Sequence, residues 1–77
     1  MTTLEIEYCH PCGFLDRALD VQAAVMRSFG TELERASLVV GDNGVFRVRV
    51  DETVVFDVSE DEFDVDEIVR RVRRNRS

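Results

Sequence analysis

Leu4-Glu5-Ile6-Glu7-Tyr8-Cys9-His10-Pro11-Cys12-Gly13 is the stretch on which the fold turns. Leu4, Ile6 and Tyr8 alternate with Glu5 and Glu7, the period-two pattern of a half-buried strand, and predict strand one over residues 3–8. From about Gly13 to Phe29 the period changes. Leu15, Ala18, Leu19, Gln22, Val25, Met26 and Phe29 recur at helical spacing and form the expected inward stripe, with Asp16, Arg17, Asp20 and Arg27 facing water. Gly30 fits the left-handed position that ends a helix. Between the two periods lie the only two cysteines, the only histidine and the only proline of the chain. A CxxC pair therefore occupies a strand-to-helix junction.

Outward from that junction, residues 36–40 (Ala-Ser-Leu-Val-Val) read as a short buried strand. Gly41-Asp42-Asn43-Gly44 follows, with an Asn-Gly pair that signals a hairpin. Phe46, Val48 and Val50 alternate with Arg47 and Arg49 in strand three, 45–50, and Asp51-Glu52 turns the chain into strand four, 53–58. Asp64 and Glu67 form a capping-box pattern ahead of helix two, whose apolar face is Val65, Ile68, Val69 and Val72. The order β-α-β-β-β-α makes strands one and two parallel by a right-handed crossover, with the later strands antiparallel. The expected fold is α/β (α+β), with a four-stranded mixed sheet and two helices, as in the thioredoxin core. Residues 1–77 are expected to form a single domain.

A chain of 77 residues buries only about 60% of its unfolded surface, so strong apolar positions are structural before they are functional. No apolar run approaches the roughly 20 residues of a membrane span, and the N-terminal residues lack a signal-peptide pattern. A cytoplasmic protein is expected, and there a cysteine pair points to redox or metal chemistry. Sixteen acidic residues stand against ten basic ones, all arginine, for a net charge of −6. That balance suits a high-salt cytoplasm, where carboxylates hold hydration and salt screens their repulsion; arginine codons of a GC-rich genome are the alternative. Arg70, Arg71, Arg73, Arg74 and Arg76 crowd the end, leaving an acidic body that repels nucleic-acid phosphates. The arginines are expected to complement a helix dipole. Glu60-Asp61-Glu62 lacks the glycine and spacing of a calcium loop and reads as solvated surface.

The chemistry concentrates in the CxxC. A helix start supplies free N–H groups and a positive dipole end, which favour thiolate over thiol, while Asp16 one turn on works against it. Cys9 and Cys12 are expected to close reversibly to a disulfide. So short a loop constrains the unfolded chain little, which argues against a purely stabilising cross-link. Protonated His10 would assist the thiolate, and Pro11 holds its predecessor His10 extended. Gly13 relieves crowding beside Cys12, and Tyr8 is expected in the core. The competing function is a soft-metal carrier binding Cu(I) through the same two thiolates. Carriers of that type close with a strand after helix two, whereas Arg70-Arg71-Val72-Arg73-Arg74 here continues a helix. Two cysteines and one intervening histidine do not make a tetrahedral zinc site.

Tyr8-Cys9-His10-Pro11-Cys12-Gly13 after a strand, Gly44-Val45-Phe46-Arg47-Val48, Val54-Val55-Phe56 and Phe63-Asp64-Val65-Asp66-Glu67-Ile68-Val69 together resemble the Rdx family. These are small thioredoxin-like proteins related to selenoprotein W. The resemblance implies a thiol–disulfide oxidoreductase in a thiol-dependent antioxidant or redox-relay role. Its partner would be a low-molecular-weight thiol or a protein disulfide or sulfenic acid. The chain is expected to be a monomer with no cofactor, metal ion, nucleic acid or membrane partner. Cys12 takes the place of selenocysteine and Cys9 that of its partner, whereas in thioredoxins the first cysteine attacks, so both orders stay open. Thioredoxins proper also carry a cis-proline before the third strand and often a tryptophan before the CxxC. Here those places hold Asp42-Asn43-Gly44-Val45 and Tyr8.

Overall fold

A computed structural model describes residues 2–75; Arg76, counted above with the basic end, lies outside them. Strand β1 (Thr2–Cys9) leads through helix α1 (Leu15–Phe29) and a 3₁₀ turn (Gly30–Glu32) to β2 (Leu33–Gly41). Then come β3 (Phe46–Val50), β4 (Thr53–Asp57) and helix α2 (Val65–Asn75). The sheet order is β2-β1-β3-β4, with β2 parallel to β1 and β3 and β4 antiparallel to their neighbours. This is the expected β-α-β-β-β-α mixed sheet with two helices.

Alternation along the strands divides the sheet into two faces. Leu4, Ile6, Tyr8, Phe46, Val48, Val50 and Phe56 share one core with Ala18, Val21, Val25 and Phe29 of α1 and Ile68 and Val72 of α2. The other face carries charge. Glu5 pairs across the ladder with Arg49 and Glu7 with Arg47, at N–O distances of 3.0 and 3.6 Å. Arg47 also reaches Asp57 at 3.2 Å. Half-exposed pairs of this kind contribute about 0.2–1 kcal/mol each, and here they make an uncovered sheet face soluble.

Five local expectations change. Helix α1 starts at Leu15, because Gly13 and Phe14 belong to the preceding turn. Its buried stripe is Ala18, Val21, Val25 and Phe29, rotated by roughly 60° from the expected one at 100° per residue. Leu19 and Met26 are largely exposed on the flank over β2, where Gln22 donates to the Ala36 carbonyl at 2.7 Å. Strand β2 begins three residues early, since β1 pairs with Leu33 and Arg35 regardless of their exposed polar neighbour Glu34.

The fourth change bears on the site. Asn43 and Gly44 have φ of 58° and 77°, the two positive values of a type I′ turn, yet no hairpin ladder joins β2 to β3. β1 lies between them, so the turn passes over the end of β1. At α2, Asp64 does cap, accepting from the Glu67 N–H at 3.2 Å. The Glu67 carboxylate, however, accepts from Arg70, Arg71 and Arg74 instead of completing the box.

Candidate functional site

The central strand ends at Cys9, and the flanking strands hold it there. The Cys9 N–H donates to the Val45 carbonyl at 2.7 Å, and the His10 N–H donates to the Gly41 carbonyl at 3.2 Å. The following turn closes on itself: Gly13 N–H donates to His10 carbonyl at 3.1 Å and Phe14 N–H to Cys9 carbonyl at 3.3 Å. Gly13 has φ of 80°, left-handed backbone that a side chain would strain. Cys9 and Cys12 are joined by a disulfide with their Cα atoms 5.3 Å apart.

The two sulfur-bearing residues differ sharply. Cys9 is completely buried, whereas Cys12 is exposed, together with His10, Pro11 and Gly13. Tyr8 is buried in the core, as expected, and its ring meets the His10 ring edge-on at 6.2 Å. The helix dipole lies further off than expected. The N–H groups of Gly13 and Phe14 serve the turn, so the first open donors of α1 belong to Leu15, Asp16 and Arg17.

Residues that sequence reasoning left out support this turn. Gly41 is paired with Cys9, and a Cβ there would lie 2.7 Å from Val45 Cγ1 and 3.3 Å from Glu7 Cγ. A bare residue is needed for Val45 and Glu7 to close over the strand end. Phe14, just past the turn, packs edge-on against buried Phe46 at 6.1 Å, and Phe46 meets Phe63 at 5.5 Å. The Arg17 guanidinium covers Phe14 and Phe63 at 5.0 and 4.9 Å. A strand-end glycine before an Asn-Gly turn was a usable signal for Gly41; nothing in the pattern marked Phe14.

Among the described residues, no three His, Cys, Asp or Glu side chains are grouped to hold a metal ion. A cavity of about 340 Å³ lined by Glu67, Arg70, Arg73 and Arg74 lies on α2, whose last turns are at the opposite end of the molecule from the disulfide. No helix among the described residues is long and apolar enough to cross a membrane.

A thioredoxin-like sheet with a CxxC disulfide where β1 gives way to α1 defines the class. The Rdx family model matches residues 3–74, and the chain belongs to that family. Among solved structures, one from Bordetella parapertussis is 29% identical, with 95% of each chain covered and a TM-score of 0.87. A selenoprotein W-related protein from Vibrio cholerae has the same TM-score at 20% identity, covering 95% of this chain and 94% of its own. At that identity the likeness is one of fold. Comparison with curated protein sequences gives no match.

Proposed function

We propose that this chain is a thiol–disulfide redox protein in which Cys12 attacks and Cys9 resolves. The observation that carries this order is the burial difference: Cys12 is open to a partner, and Cys9 is sealed beneath the turn. The Cys12 thiolate attacks one sulfur of a partner disulfide, forming a mixed disulfide and releasing the partner's other sulfur as a thiolate, which takes a proton. Cys9, as thiolate, then attacks the Cys12 sulfur, closing Cys9–Cys12 and releasing the second partner sulfur. One dithiol is oxidised and one disulfide reduced. His10 and Pro11 frame the exposed sulfur, Gly13 permits the turn, and Tyr8 supports it from the core.

Family membership supports this chemistry. The role is a thiol-dependent antioxidant or redox-relay one, carried out by a monomer in the cytoplasm. The partner is a protein disulfide or sulfenic acid, or a low-molecular-weight thiol. The Cu(I) carrier uses the same two sulfurs and is separated from this proposal by experiment.

Equilibration of the full chain in thiol buffers of graded potential, read by alkylation mass shift, is expected to give one two-electron transition. Cys9→Ala is expected to accumulate a mixed disulfide on Cys12. Cys9 and Cys12 thiols that both stay reduced in every oxidising buffer, with Cu(I) held far more tightly than by a short CxxC peptide, would replace the redox protein by the carrier.

A further inference from the structure

The topology sorts charge toward the two ends of the molecule. β1 and β2 run toward the disulfide, β3 runs away from it, β4 returns, and both helices run away. The disulfide end therefore collects the start of α1, the 41–45 turn and the 58–64 loop. Phe63 of that loop is fixed there through its contacts with Phe46 and with Arg17 of α1. Glu7, Asp16, Asp20, Asp42, Glu60 and Glu62 all fall at this end. The arginines that reach this end are engaged: Arg17 lies over two rings, Arg47 is ion-paired with Glu7 and Asp57, and Arg71 of α2 is ion-paired with Asp61 of the loop at 3.1 Å. Arg73 and Arg74 lie in the last turn of α2, at the far end.

We infer that this charge arrangement makes Cys12 selective for protein partners whose disulfide or sulfenic acid is set among lysines and arginines. The inference rests on the redox function proposed above and names its substrate class. An exposed sulfur reacts in the field of the charges around it. A net-negative rim attracts cationic partners and repels anionic ones over a Debye length of about 10 Å at 0.1 M salt, and the effect fades as that length falls to about 3 Å at 1 M. Exchange with a partner disulfide follows the balanced steps given above, the disulfide being the oxidant; a partner sulfenic acid is the oxidant in the same way, its oxygen taking a proton and leaving as water when Cys12 forms the mixed disulfide. Anionic small disulfides are disfavoured by the same field.

The test uses the full reduced chain and three symmetrical peptide disulfides, whose cysteines are flanked by arginine, serine or glutamate. Rates are divided by those of dithiothreitol with the same peptides, which removes differences in intrinsic reactivity. They are taken from about 0.05 M to about 1 M KCl, within the range where circular dichroism shows a folded chain. The normalised arginine peptide is expected to react at least about tenfold faster than the glutamate peptide at low salt. The ratio is expected to shrink to about threefold or less at high salt, with the serine peptide nearly flat. Asp42→Asn combined with Glu60→Gln and Glu62→Gln is expected to reduce the low-salt ratio while leaving the serine peptide's rate unchanged. Equal normalised rates for the charged peptides at low salt, or a ratio the triple variant does not move, overturn the inference and leave the redox function standing. A serine peptide that fails to oxidise the pair overturns both.

Discussion

The difference in burial between the two sulfurs gives a number that alkylation can check. In Cys12→Ser the remaining Cys9 thiol reacts only when the turn opens. Opening breaks the bond from Cys9 N–H to Val45 and that from Phe14 N–H to the Cys9 carbonyl, each worth about 1 kcal/mol. It also exposes the buried sulfur, at about another 1 kcal/mol. The sum of about 3 kcal/mol corresponds to roughly 150-fold protection when opening equilibrates faster than reaction. Cys9→Ala, chosen because a buried serine hydroxyl would need a partner, leaves Cys12 exposed and unprotected. Iodoacetamide, being neutral, avoids the field of the acidic rim. Pseudo-first-order rates at one pH are therefore expected to favour Cys12 by about two orders of magnitude. Rates within about threefold of each other, or a faster Cys9, would refute both the sealed turn and the assignment of Cys12 as nucleophile.

Three further outcomes are expected. Gly41→Ala forces a methyl group against Val45 and is expected to lower stability by about 1–3 kcal/mol in urea unfolding, with Val45→Ala recovering part of the loss in the double variant; additive losses would remove the steric explanation. Asp57 is held below the usual carboxylate range by the Ser59 N–H and hydroxyl, with Arg47 adding to it, and Glu67 by Arg70 and then Arg71. Both groups have depressed pKa values in the folded state, so their contribution is complete above the unfolded values near about pH 4 and is lost as pH falls through the folded ones. Melting temperature is expected to hold from pH 7 to about 5 and to fall below about 4, and a decline already complete by pH 5 would contradict the pairing. The acidic end should repel itself in dilute buffer, so the melting midpoint is expected to rise from low to molar KCl, and a flat or falling midpoint would exclude a halophilic charge design.

Strand and helix placement was legible wherever one face is buried. Leu4, Ile6 and Tyr8, and Phe46, Val48 and Val50, alternate because their partners in β1 and β3 lie across one ladder above one core. The same logic misjudged α1, where Leu19 and Met26 are apolar but lie on its exposed flank. Periodicity fixes the spacing of a stripe but not its rotation, which the sheet beneath decides. The Asn-Gly signal fixed a turn geometry and misled about pairing, because the turn's conformation is local and the choice of β1 as neighbour is not. The pair of candidate sulfurs was legible from spacing and context, but the difference between them was not.

That difference follows from the position of β1 in the sheet. A central strand has neighbours on both sides, so its last residue is bonded from both: Gly41 of β2 accepts from His10 N–H, and Val45, just before β3, accepts from Cys9 N–H. The connection between those two residues must cross the strand end, and Gly41 is bare where Val45 closes against it. Cys9 is thus buried by topology before any side chain is chosen to cover it. The chain can continue only by leaving the sheet, and it does so through Pro11 and the left-handed Gly13, which carry Cys12 out to solvent before α1 begins. On an edge strand the same four residues would leave one side of the first cysteine open, and the two sulfurs would compete for a partner. Here the sheet order seals one sulfur and presents the other, and the proposed order of attack rests on that difference.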